Sequence, residues 1–163
     1  MKKLTLFSIA LLLSVYCMAQ EDLAFPFQGG HPVMNQYFQN NIVVSPEIKF
    51  KKATGTAVFK FTADDIGNIT KIVVYYTDDL ILTPPIIAAL KKSNHKWIIP
   101  NHEKSHDFII PFSIKFNIPT TGNGAVQAAY YDFYLHHTPV IAQDQIPLNE
   151  ATLLPTVVVN YDL

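Results

Sequence analysis

The sequence predicts an α+β domain: two short helices packed on a three-stranded antiparallel sheet, followed by a C-terminal extension of strand and irregular chain. Three observations carry this. Residues 55–77 alternate apolar and polar side chains on both sides of a glycine-containing turn, the pattern of a β-hairpin. Residues 108–118 alternate again, as a third strand. The segments at 32–41 and 83–92, before and after the hairpin, place apolar residues at helical spacing.

The first nineteen residues are expected to be a targeting segment and not part of the fold. Lys2 and Lys3 form a charged start, Leu4 to Val15 an apolar run, and Ala19 a small residue ahead of Gln20. A spanning helix needs roughly 20 apolar residues, so cleavage to a chain that does not span the membrane is expected. Cys17 offers a lipid-anchored alternative, which the bulky Tyr16 directly before it fits poorly. Without residues 1–19 the chain has no cysteine, and losing Lys2 and Lys3 moves the formal charge from −1 to −3. Disulfides, thiolate metal sites and cysteine nucleophiles are then excluded. Near-neutral charge without a basic run argues against nucleic acid as a partner. Residues 20–118 are expected to form the domain, and 119–163 an extension packed on or near it.

Taken in order, Glu21 to Gly30 is too broken by Pro26, Gly29 and Gly30 to form an element. Pro32 suits a first helical position, where its missing N–H costs nothing. Val33 pairs with Tyr37 and Met34 with Phe38, giving one apolar stripe to about Asn41. Ser45-Pro46 halts the chain, and Lys49, Lys51 and Lys52 read as a solvated loop rather than a patch for an anionic partner. In the first strand, Ala57, Phe59, Phe61 and Ala63 share one face, opposite Thr56, Lys60 and Thr62. Gly67-Asn68 supplies the positive-φ residues of a hairpin turn. On the return, Ile72, Val74 and Tyr76 share a parity that Ile69 lacks, and a β-bulge near Thr70-Lys71 would bring Ile69 into line. Thr83-Pro84-Pro85 then makes a cap and first turn. Ile86, Ile87 and Leu90 form a buried helical face, with Lys91 and Lys92 at the dipole's negative end. Trp97 is expected as a core plug, and Pro111 within the third strand should place that strand at a sheet edge.

This ordered set resembles the C-terminal domain of TonB, the periplasmic module of the bacterial energy transducer, in its Bacteroidetes-type form. The resemblance rests on Gly29-Gly30, Tyr37-Phe38 ahead of Asn41-Ile42 and Pro46, and Gly55-x-Ala57-x-Phe59-x-Phe61. It continues through Gly67-x-Ile69-x-x-Ile72-x-Val74, Ala88-Ala89-Leu90, Lys96-Trp97-x-x-Pro100 and Pro111-x-x-Ile114-x-Phe116. It covers residues 27 to about 118. The chain departs from the family in its longer Asp65-Ile66-Gly67 turn and in lacking a glycine soon after Pro100. The sequence also lacks the long proline-rich linker of a working transducer. A fold does not by itself confer its best-known function.

The resemblance implies a non-enzymatic binding module of the periplasm or cell envelope that needs no cofactor. The family pairs its last domain strand with a short segment of an outer-membrane receptor, by β-augmentation. Here that edge is Phe108, Ile109, Ile110, Pro111, Phe112, Ser113, Ile114, Lys115 and Phe116, and its partner is a receptor, an envelope complex or a second copy of the chain. Transmembrane transport is the process so implied.

Two readings from other classes stand beside it. His102-x-x-x-His106 with Glu103 has metal-ligand spacing if helical, which would suit a metal-dependent hydrolytic enzyme. The segment has no apolar face and precedes a strand, so solvated loop histidines are the plainer reading and no metal site is assigned. His31, His95, His136 and His137, with Asp107 and Asp132, complete the candidates, and no nucleophile elbow or phosphate loop is present. Tyr130-Tyr131-x-Phe133-Tyr134 could instead form the surface of a self-associating structural protein. Residues 125–135 are apolar and rich in tyrosine, and periodicity leaves the extension from 119 to 163 open between extra strand and a tail wrapped on the domain. In the tail, Val157-Val158-Val159 is expected either along the third strand's edge, as a built-in competitor for a partner, or packed elsewhere, where it completes the core.

Overall fold

The computed structural model describes residues 25–100, 103–120, 122–143, 147–148 and 150–163. The expected targeting segment and His102 lie outside the described residues. Within them the fold is α+β. Helices α1 (Gly30–Asn41), α2 (Pro46–Lys51), α3 (Thr83–Lys92) and α4 (Asn123–His136) accompany a mixed sheet. Its strands are β1 (Gly55–Asp64), β2 (Ile69–Thr77), β3 (Ser105–Phe116), β4 (Val140–Ile141), β5 (Thr152–Leu153) and β6 (Val157–Tyr161). The order is β4-β2-β1-β3-β5, with β6 beside β5 on the same side of β3. The sheet therefore has six strands among the described residues, where three were expected. Its centre is the antiparallel meander β2-β1-β3; the additional strands come from the C-terminal extension.

The hairpin forms for the reasons its pattern gives. Ala57, Phe59, Phe61 and Ala63 are buried on one face of β1. Lys71 lies opposite Thr62 but Ile69 opposite Ala63, so Thr70 is the bulged residue and Ile69 rejoins the core face. A second bulge at Tyr75 separates Val74, opposite Phe59, from Tyr76, opposite Val58. In the turn, Gly67 has φ +78°, and a Cβ there would lie 2.6 Å from the Trp97 carbonyl oxygen. Glycine is thus required twice, by backbone conformation and by close approach. Asn68, expected with positive φ, does not have it; its N–H instead bonds the Asp64 carboxylate at 2.7 Å, so a side-chain turn replaces the second left-handed residue.

Trp97 is buried, as expected. Its ring lies 4.5 Å from Phe61, 5.0 Å from Phe27 and 5.4 Å from Phe108, centroid to centroid. Its Nε1 donates to Ser93 Oγ at 2.9 Å, and Ser93 Oγ donates to the Leu90 carbonyl at 2.6 Å, satisfying both buried polar groups. In α1, Met34 and Phe38 enter the core while Val33 is exposed. The stripe is narrower than expected because Val33 sits over the left-handed Gly29 at the helix start. The lysine loop is also corrected, since Ser45 Oγ caps α2 by accepting from Ile48 N at 3.3 Å, with Pro46 in its first turn and Ile48 buried. Within the extension Asn123–His136 is α4, neither strand nor wrapped tail, and among its described side chains Phe133 is the one large one buried.

Candidate functional site

Residues of β3 divide as a strand's must. Phe108, Ile110, Phe112 and Ile114 are buried in the core beneath the helices, and Phe116 packs partly against it. On the other face Ile109 is buried, Pro111 and Ser113 are half-buried, and Lys115 is exposed. Strand β3 was expected at an edge of the sheet, but its outer side is covered. β5 pairs Thr152 with Phe108 and Leu153 with Ile109, and β6 pairs Val157 to Tyr161 with Phe112 to Phe116, all in parallel. Val157-Val158-Val159 thus runs along β3 as the sequence suggests. It also completes the core, because Val157, Val159 and Tyr161 are buried. The tail completes the core from the edge itself rather than from elsewhere.

Pro111 is accommodated by a gap rather than by an edge. β5 ends at Leu153 and β6 begins at Val157, so the covering chain does not pair at Pro111. Ile109 turns its carbonyl outward to Leu154 N at 2.8 Å. By the alternation of an extended chain, Pro111 aims its missing donor to the same side.

Polar contacts pin the covering chain at the start of β3. His106 Nδ1 lies 2.6 Å from Glu103 Oε2 and its Nε2 lies 2.7 Å from Thr152 Oγ1. Lys60, buried on β1, meets Asp107 at 2.8 Å and donates to the Pro147 carbonyl; Thr62 donates to Asp107 at 2.6 Å. Burial pushes the Asp107 carboxyl up, but the hydrogen bonds from Lys60 and Thr62, with the charges of Lys60 and His106, outweigh it and hold it below its usual range. Glu103, Ser105, His106, Asp107 and Glu150 border a cleft of about 310 Å³. The first four were read as a polar loop ahead of a strand, but Ser105, His106 and Asp107 lie within β3 and His106 is not solvated; Thr152 and Lys60 were missed because only the strand register brings them there.

Among the described residues the opposite edge is open for most of its length. β4 pairs only with Tyr76 and Thr77, and Ala142 N donates to the Tyr75 carbonyl at 3.0 Å. At the other end the Asn94 side chain accepts from Ile69 N at 2.9 Å. Between them, no described strand pairs with the outer side of residues 70–74. A groove of about 260 Å³ lies there, bordered by Ile69 to Ile72 and Val74 of β2 and by Ile87 and Lys91 of α3.

The remaining candidates are dispersed. His31 bonds Asn35, His95 sits at the hairpin turn, and His136 and His137 end α4. Both ring nitrogens of His106 are engaged within the protein. Among the described residues, no three His, Cys, Asp or Glu side chains gather as metal ligands would. Tyr130, Tyr131 and Tyr134 of α4 are exposed. Among the described residues no helix is long and apolar enough to cross a membrane. No family model, curated protein or solved structure matches the chain.

Proposed function

We propose that the chain is a non-enzymatic protein-binding module of the periplasm or cell envelope, working by strand addition as the resemblance to the TonB C-terminal domain implies. The observation that supports this is that β3 receives two added strands in parallel along its outer side. Backbone groups of an extended segment supply affinity in this mode, and alternate side chains supply selectivity. The tail occupies the edge that a partner would use, so a partner at β3 has to displace β6. Its apparent affinity falls by the fraction of time the edge is free. In this reading the receptor segment of an outer-membrane transport system is the partner class.

The test uses the chain's own occupant as the probe. A labelled peptide copying residues 155–163 is titrated into the whole chain and into a Val159→Asp variant. Val159 is buried in β6 opposite Ile114, so a carboxylate there loosens the tail while leaving the residues of β3 themselves unchanged. The peptide should bind the variant at least tenfold more tightly than the parent. Equal or absent binding to both, with the variant still folded by circular dichroism, would remove the strand-accepting role of β3.

A further inference from the structure

We infer that the open edge of β2, from Ile69 to Val74, is a second docking site, and that it takes an acidic, extended segment of a partner protein without displacing the tail. The inference rests on the strand-accepting reading above and adds a site and a partner chemistry to it.

Backbone geometry comes first. β4 stops after covering the last two residues of β2, and Asn94 caps the first, leaving a run at residues 70–74 without an outer strand among the described residues. At about 3.3 Å per residue, Ile69 to Val74 spans roughly 20 Å, room for a segment of five or six residues. An unpaired run of this kind is a template for another strand.

Side chains then select the occupant. Ile72 and Val74 pack against the core side of the sheet, and Ile87 faces them across the groove from α3. A segment added here meets an apolar surface with every second side chain. Lys71 lies on the other parity of β2, and Lys91 stands one helical turn after Ile87 at the groove's rim. Neither lysine has a carboxylate partner among the described ion pairs. An alternating segment would therefore bury its apolar side chains against Ile72, Val74 and Ile87 and present carboxylates to Lys71 on the opposite face, with Lys91 at the rim adding positive charge on the α3 side. A second copy of this chain is the poorer fit. Antiparallel pairing of two β2 edges sets the two Lys71 side chains on one face of the joined sheet, and like charges there are unfavourable.

The probe is a blocked six-residue peptide alternating valine and glutamate, titrated into the whole isotope-labelled chain and followed by backbone amide shifts and exchange. The expected result is slowed exchange at residues 70–74 with protection at Val157 to Tyr161 unchanged. Replacing the glutamates by lysines should weaken binding by about tenfold, and Lys71→Glu with Lys91→Glu should reverse that preference. A fully N-methylated peptide should not bind, because it has no backbone donors. Equal binding of the N-methylated peptide would reduce the site to charge attraction and overturn the inference. A response confined to β3, with release of β6, would also overturn it while leaving the strand-accepting reading intact. Silence at β2 up to millimolar peptide would sink it as well, whatever the tail peptide does at β3.

Discussion

The two outer edges of the meander carry similar residues and meet different ends. β2 and β3 are both rich in isoleucine and aromatic side chains, and both need their outer backbone groups satisfied. β3 is covered by β6, whose side chains alternate buried and exposed from Val157 to Tyr161. β2 is covered by two residues of β4, of which Ile141 is exposed and Val140 only half-buried. Backbone pairing alone contributes little net free energy, about 0.5–1.5 kcal/mol per hydrogen bond. A covering strand stays when its side chains also leave water. β6 adds three large side chains to the core and β4 adds none, so one edge is closed and the other is available.

Deleting residues 156–163 breaks this comparison most severely. It strips Val157, Val159 and Tyr161 from the core, each contributing about 1.5–3 kcal/mol by burial. The sum approaches the roughly 5–15 kcal/mol that holds a whole domain. The truncated chain should melt far below the parent or be unfolded at 25 °C, as followed by circular dichroism. Lys71→Glu on the open edge should shift stability by no more than about 0.5 kcal/mol. Comparable losses from the two changes would mean that the edges do not differ as described.

Trp97→Ala is expected to cost about 3–5 kcal/mol, and it separates meander from edges. Its neighbours Phe61, Phe27 and Phe108 belong to the core that both edges share. Amide protection should therefore fall on β2 and β3 together. Native tryptophan emission should be blue-shifted and poorly quenched by iodide; a red, freely quenched emission would contradict its burial.

The meander was legible because each of its elements carries a local signal. Alternation marked β1, the parity break at Ile69 marked the bulge, and the apolar face of 86–90 marked α3. The coverings were less legible. α4 shows no single apolar stripe, since its tyrosines and alanines lie all round and only Phe133 is buried. β4 and β5 are two residues long, too short for any period. Pro111 misled for a physical reason: it signals a missing donor, which an edge satisfies and a gap between two covering strands satisfies equally. The Thr152 contact with His106 depends on tertiary register, which local periodicity does not encode.

Tyr161 sharpens the account of the closed edge. Its hydroxyl donates to the Ala53 carbonyl at 2.9 Å, and burial raises its pKa to about 12. A folded-state pKa above the unfolded value of about 10 means the native chain keeps a proton that the unfolded chain loses. This contribution is intact below about pH 10 and disappears as pH rises toward 12. Tyr161→Phe should cost about 1 kcal/mol at neutral pH and flatten the loss of stability between those limits. Absorbance at 295 nm should show one fewer late-titrating phenol in the variant than in the parent, where Tyr37 and Tyr76 are also raised, by burial and by the Asp78 hydrogen bond. An unchanged titration would place the hydroxyl in water and β6 away from α2.

An effect of similar size comes from the other end of the same edge. Asp107 joins Lys60, which also holds the Pro147 carbonyl ahead of β5. Its lowered pKa means that the unfolded chain binds the proton first. The stabilisation is therefore present above the ordinary carboxylate value of about 3.9 and is lost as pH falls below it. With the carboxylate about one-third exposed, Asp107→Asn should cost about 1 kcal/mol at neutral pH. Acidification from pH 6 to 3 should speed amide exchange relative to the intrinsic rate at Thr152 and Leu153 before it does so at residues 70–74. Asp107→Asn should show the faster exchange at β5 already at pH 6. If β2 and β5 loosen together in acid, the carboxylate serves the whole sheet, and the closed edge has no separate acid-sensitive clamp.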